Sequence, residues 1–275
     1  MLVTPPCGRT RPTVSVVPPA LIPAFVAGLP RDRLLGEFSL WSADLCDLAA
    51  DLRRTEPYAD IYHVDVADGR FAPSFLFFPD QVARIRALTR RPIHVHLMVE
   101  GDIVLEQIRQ FAAAGADLVT VHPENGPVTA EALALIAELG CAAGVVLRLE
   151  TPVASLAPYL DRVAFVTLLG TAIGVKGQGL SEQACPRLQE VRRMLQAAGR
   201  AEAVHLAADG GIRAETVPLL RTAGAQTVVL GSLAFGDPDL GAPLGESARE
   251  RLKQSLASTA RLSGDEVADT LGLRW

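Results

Sequence analysis

Cysteine is scarce in this chain: four residues among 275, Cys7, Cys46, Cys141 and Cys185, with no CxxC and no other metal spacing. That pattern excludes a disulfide framework and a cysteine-built zinc site, and it reads as free thiols in a reducing compartment. An excess of positive charge is missing too, because 26 Lys and Arg face 31 Asp and Glu for a net charge of −5. A chain without a basic footprint cannot neutralise a phosphate backbone, so nucleic acid is not an expected partner. Long hydrophobic runs are absent as well. The apolar opening from Met1 to Leu29 is broken by Pro18, Pro19 and Pro23 before it reaches the length of a signal core or a membrane span. The expectation is a cytoplasmic protein with no membrane partner. Lysine is almost missing, with only Lys176 and Lys253.

What is present suits a large buried core: 49% hydrophobic and 21% charged residues, over a length close to the roughly 250 residues of a single α/β barrel. From Leu34 to Gly236 short apolar runs alternate with helical-period segments. The runs are Leu34–Trp41, Asp60–Val66, Pro92–Leu97, Asp117–Val121, Ala142–Leu147, Arg162–Thr167, Ala203–Ala208 and Thr227–Leu230. Eight such runs, apolar enough to be buried on both faces, predict a closed (β/α)₈ TIM barrel of parallel strands. Gly115 and Gly224 stand where two helices should end in a left-handed residue, and helices are expected after Thr129 and after Ser181. The expected organisation is an N-terminal extension over 1–30, a barrel catalytic domain over 31–240 and a helical C-terminal extension over 241–275, with one amphipathic helix at Glu246–Ser258.

In such barrels the chemistry sits at the C-terminal ends of the strands. The second run ends in HVDVADG, which puts His63 and Asp65 two residues apart and on one face. The third ends in HVHLMV and the seventh in AADGG, so His96 and Asp209 converge on the same rim. Two imidazoles and two carboxylates form a mixed N/O set that suits one divalent ion, Zn²⁺, Fe²⁺, Co²⁺ or Mn²⁺, better than a hard all-oxygen calcium site. His94 shares the face of His96, and His122 also lies near a strand end, but each reads equally well as a satisfied interior residue. DGG at Asp209–Gly211 and LGS at Leu230–Ser232 follow consecutive strands, where barrels build phosphate sites from glycine-rich loops and a helix N-terminus.

The motifs FSLWSADL, HVDVADGRFAPSF, HVHLMVE and ADGGI…GSLAFG, in this order from Phe38 to Gly236, resemble those of ribulose-phosphate 3-epimerases and the related allulose-phosphate 3-epimerases. The resemblance implies an isomerase that moves a proton at C3 of a ketose phosphate, with ribulose 5-phosphate and xylulose 5-phosphate as the first substrate pair. It implies Asp65 and Asp209 as the acid/base pair and His63, Asp65, His96 and Asp209 as metal ligands. Ser42 and Met98 would border the substrate, and amides at Gly210, Gly211, Gly231 and Ser232 would hold its phosphate. Proteins of this kind commonly form homo-oligomers.

Two departures from the motifs concern substrate choice. Ala67 stands where the family carries a methionine, and the loop after the sixth run, TLLGTAIGVKGQGL over Thr167–Leu180, is longer than the family's MTVNPGFGGQ and lacks its Asn-Pro. Gly177 and Gln178 match the end of that loop, which implies a phosphate amide at Gly177, and Lys176 could add a point charge there. Other readings are an epimerase of another pentulose or hexulose phosphate such as allulose 6-phosphate, a non-catalytic sugar-phosphate-binding barrel, and a decarboxylating lyase on the same fold. The lyase would need an Asp and Lys array at the strand ends, and neither lysine lies on a strand end.

Overall fold

The computed structural model describes residues 24–236. The helix expected at Glu246–Ser258, the rest of the C-terminal extension and the first 23 residues lie outside them. Nine strands form one sheet: β1 (Leu35–Ser39), β2 (Ile61–Asp68), β3 (Phe75–Leu76), β4 (Ile93–Met98), β5 (Leu118–Val121), β6 (Ala142–Leu147), β7 (Phe165–Leu169), β8 (His205–Asp209) and β9 (Thr227–Leu230). Eight are parallel, run in the order β1-β9-β8-β7-β6-β5-β4-β2, and close into a barrel where β1 pairs with β2. The ninth, β3, is a two-residue antiparallel hairpin partner of β2 that the apolar rhythm does not reveal, because Phe75 is exposed and nothing alternates around it. β7 runs on to Leu169, paired with Asp209, so the long loop starts at Gly170 rather than within the TLL segment.

Helices α2 (Leu48–Thr55), α3 (Pro79–Leu88), α4 (Val104–Ala113), α5 (Val128–Glu138), α6 (Ala184–Ala197) and α7 (Val217–Ala223) surround the barrel. They bury Leu52, Val82, Ile108, Phe111, Ile136 and Val191 against the outward-facing valines and leucines of the strands. Each such side chain withdrawn from water contributes about 2 kcal/mol, so the ring of helices is the main source of stability. Gly224 ends α7 at φ 116°, and Gly115 follows α4 at φ 103°, both left-handed as the helix-ending pattern requires. None of the helices among the described residues is long and apolar enough to cross a membrane.

Inside the barrel three layers follow the alternation of each strand. At the N-terminal end, the short helix α1 (Ala24–Ala27) inserts Val26 against Ile61, Leu118, Ala142, Phe165 and Ala207. The middle layer is polar, with Glu37, His63, His94 and Thr120 all fully buried. Gly144 makes room for it, since a Cβ there would come within 2.6 Å of Thr120 Cγ2 and 2.9 Å of Phe165 Cβ. The top layer opens on the C-terminal mouth.

Candidate active site and metal centre

The mouth holds a cavity of about 340 Å³, at the small end of ligand sites and suited to a small metabolite. Every residue predicted for the site lines it except His63, which lies beneath its floor: Ser42, Asp65, His96, Met98, Gly177, Asp209, Gly210, Gly211, Gly231 and Ser232 all face the cavity. Strand register explains the convergence. Asp65 on β2 lies directly beside His96 on β4, and Asp209 is the last residue of β8.

His63, Asp65, His96 and Asp209 each offer a ligand atom, and the four atoms lie within 4.8 Å of one another. His63 Nε2 is 3.2 Å and His96 Nδ1 3.3 Å from Asp65 Oδ1. Two ligand atoms bound to one cation at about 2.1 Å stand about 3.0 Å apart at a right angle and about 3.4 Å apart at the tetrahedral angle. The donor set therefore fits a single divalent ion. Ser39 donates to the other oxygen of Asp65, Oδ2, at 2.9 Å, which fixes the carboxylate plane.

Both histidines are held from behind. His63 Nδ1 is 2.8 Å from Glu37 Oε2. His96 Nε2 is 2.8 Å from His122 Nε2, and His122 Nδ1 faces Glu124 Oε2 at 3.4 Å. Glu124 is fixed in turn by the Arg148 backbone amide at 3.2 Å and by a hydrogen bond from Thr151 Oγ1. Arg148 stacks over Phe71, whose ring packs on His122. His94, left open between ligand and interior residue, is an interior one among these contacts: it bonds Glu37 and Thr120 one layer below the mouth.

The family profile that matches this sequence is that of the Ribulose-phosphate 3 epimerase family, over residues 37–235. The chain belongs to this family. A ribulose-phosphate 3-epimerase of Bacillus subtilis (strain 168) is 37% identical over 202 residues, covering 73% of this chain and 92% of that protein. One from Escherichia coli (strain K12) is 34% identical over 219 residues, covering 79% and 96%. Among solved structures, 3-keto-L-gulonate-6-phosphate decarboxylase from Vibrio cholerae O1 biovar El Tor str. N16961 aligns with a TM-score of 0.59 at 16% identity, over 81% of this chain and 98% of that one. Orotidine 5'-phosphate decarboxylase from Pyrococcus horikoshii OT3 aligns at 0.58 and 15%, over 80% and 99%. At such identities the likeness is one of fold, whereas the profile and the curated relatives separate this chain from the lyase reading.

Within this ribulose-phosphate 3-epimerase family member the two aspartates are driven apart electrostatically. Burial pushes Asp209 up to about 6; the nearby Asp65 charge adds to the rise and His63 opposes it. At Asp65 burial acts in the same direction, but His63 and His96 outweigh it and hold the carboxyl well below its ordinary value. Burial lowers His122 to about 4, so that ring is neutral and can accept from His96. A cation among the four groups would favour the ionised form of both aspartates.

The loop from Gly170 to Ser181 arches over the cavity and is tied down on both sides. Ser74 Oγ donates to Gly174 O at 3.0 Å, and Lys176 Nζ bonds the Trp41 carbonyl while lying 4.7 Å from the centre of the Trp41 ring. Gln178 bonds Ala172 and Val175 and so ties the loop to itself. Gly210 and Gly211 line the mouth with φ of 87° and 70°, a left-handed backbone that glycine adopts without strain. Glu37, Ser39, Trp41 and Glu124 are site residues that reading the strand ends misses. An acidic residue inside an apolar strand, two before a serine on the same face, was the available signal for Glu37 and Ser39.

Proposed function

We propose that this chain is a divalent-metal-dependent 3-epimerase of a ketose phosphate, with ribulose 5-phosphate and xylulose 5-phosphate as its substrate pair. The observation that carries the proposal is the pairing of two carboxylates, Asp65 and Asp209, brought from two different strands to one small mouth. Asp65 takes the proton from C3 on one face of the sugar, and the electron pair of that C–H bond moves toward the C2 carbonyl oxygen, giving an enediolate. Asp209 then delivers its own proton to C3 on the opposite face. Turnover leaves the two aspartates with exchanged protonation, and the reverse reaction uses them in swapped roles.

His63, Asp65, His96 and Asp209 would hold the ion, which when bound supplies Lewis-acid stabilisation of the negative charge that develops on the substrate oxygens. Ser39 keeps Asp65 aimed at the substrate. Met98 and Leu169 give the cavity apolar wall. Amides at Gly177, Gly210, Gly211, Gly231 and Ser232, with Ser42 beside Gly231, are the proposed phosphate grip, and Lys176 adds a cation at its edge. Ala67 and Phe71 pack with Met98, so the methionine expected by the family pattern is replaced by an apolar cluster.

The test is proton–deuterium exchange followed by NMR in D₂O with a panel of ketose phosphates. Deuterium entering at C3 of ribulose 5-phosphate with inversion supports the proposal. Exchange confined to a hexulose phosphate such as allulose 6-phosphate would move the substrate, and no exchange at C3 of any sugar would sink the reaction.

A further inference from the structure

We propose that Glu37 is the positioning residue of the cation site, its buried carboxylate holding the Nδ1 proton of His63 so that this ring offers its Nε2 lone pair to the ion. The inference rests on the reading of His63 as a ligand. Glu37 sits on β1 in the middle layer and is 0% exposed. A carboxylate buried there carries a desolvation cost of several kcal/mol that only close partners can offset. It has two, His63 Nδ1 at 2.8 Å and His94 Nδ1 at 2.6 Å, both addressing the single oxygen Oε2.

An ionised carboxylate only accepts, so both Nδ1 atoms carry protons. His94 Nε2 is then an acceptor, and Thr120 Oγ1 donates to it at 2.8 Å. His63 Nε2 is left facing Asp65 Oδ1 at 3.2 Å. That contact is attractive only when a proton or a cation lies between the nitrogen and the oxygen, and a bound divalent ion would take the proton's place. A divalent ion is the charge that the neighbouring ligands are arranged to share. The atoms of Glu37, His63 and His94 are themselves close enough for a second ion. Both nitrogens, however, point at one oxygen over hydrogen-bond distances, and His94 already has Thr120 on its other side.

The test uses the full chain freed of metal and titrated with Zn²⁺ or Co²⁺ against a chromophoric chelator. Glu37→Gln can keep both hydrogen bonds at its amide oxygen, with the NH2 in the place of the unpartnered Oε1, but it removes the negative charge that strengthens His63 as a ligand. Its ion Kd is expected to rise about 10- to 100-fold with a changed Co²⁺ visible spectrum, and Glu37→Asp to recover part of that loss. In Zn²⁺-loaded wild-type protein, long-range ¹H–¹⁵N correlations should show His63 and His94 protonated at Nδ1, a readout that stands even where the variant fails to fold. Unchanged Kd and spectrum in Glu37→Gln, a proton on His63 Nε2, or two ions per chain would each overturn the inference. A wild-type chain that binds no divalent ion would sink the metal reading and this one with it.

Discussion

His205 lies in the barrel interior with no exposed surface, its ring stacked on Phe165 at 5.2 Å between centroids and 19° between planes. Burial, aided by the charge of Arg31, lowers its pKa to about 4 from the ordinary 6.5. The unfolded chain therefore takes up a proton below pH 6.5 that the folded chain refuses until about 4. Stability from this residue is complete above 6.5, falls as the pH drops through that window and is lost below 4. The full effect is about 3 kcal/mol, of which about 2 kcal/mol is spent between pH 7.5 and pH 5. For a domain of this size that corresponds to roughly 4–8 °C in Tm. The assay is urea unfolding of chelator-treated protein at pH 7.5 and pH 5, wild type against His205→Leu. The variant should be less acid-sensitive by about 2 kcal/mol, since His94 and His122 still titrate in both proteins. Parallel pH profiles would refute the reasoning.

Asp65→Asn and Asp209→Asn should each cut kcat by about 10³-fold or more while far-UV circular dichroism stays native; retained turnover in either would rule out a two-base route. Gly211→Ala forces a side chain onto φ 70° and brings its Cβ within 2.6 Å of Leu180 Cα. It should destabilise the fold by about 1–3 kcal/mol in urea melts and weaken inhibition by inorganic phosphate. Lys176→Ala removes the loop's only cation. KM for the phosphorylated sugar should rise about tenfold with kcat little changed, and an unaltered KM would make the lysine a strap on Trp41 and nothing more.

Legibility differed by element. The barrel was readable because parallel strands buried on both faces write themselves as continuous apolar runs, and the count of eight survived intact. β3 was not, because two residues with an exposed phenylalanine carry no period. Asp65, His96 and Asp209 were readable because strand ends in this architecture share one mouth, and the structure brings all three together. What stayed hidden was the layer beneath. Glu37 sits two strands of sequence away from His94, and only the barrel's stagger places their side chains 2.6 Å apart. His122 and His94 looked alike in sequence. The structure sets one behind His96 and the other behind Glu37, a difference of depth that no local pattern encodes.

The short helix before β1 has a consequence for how the molecule is cut. Val26, with Phe25 and Leu29 beside it, stoppers the end of the barrel remote from the mouth. A fragment begun at Leu34 would keep every strand and every candidate ligand yet leave Ile61, Leu118 and Phe165 open to solvent from below. Water entering there would reach His205, ease its protonation and hydrate the floor on which Glu37 and His63 rest. The working unit is therefore expected to begin upstream of the first strand, and slow amide exchange at the lower strand ends that is lost in the shortened fragment would be the signature of a seated stopper.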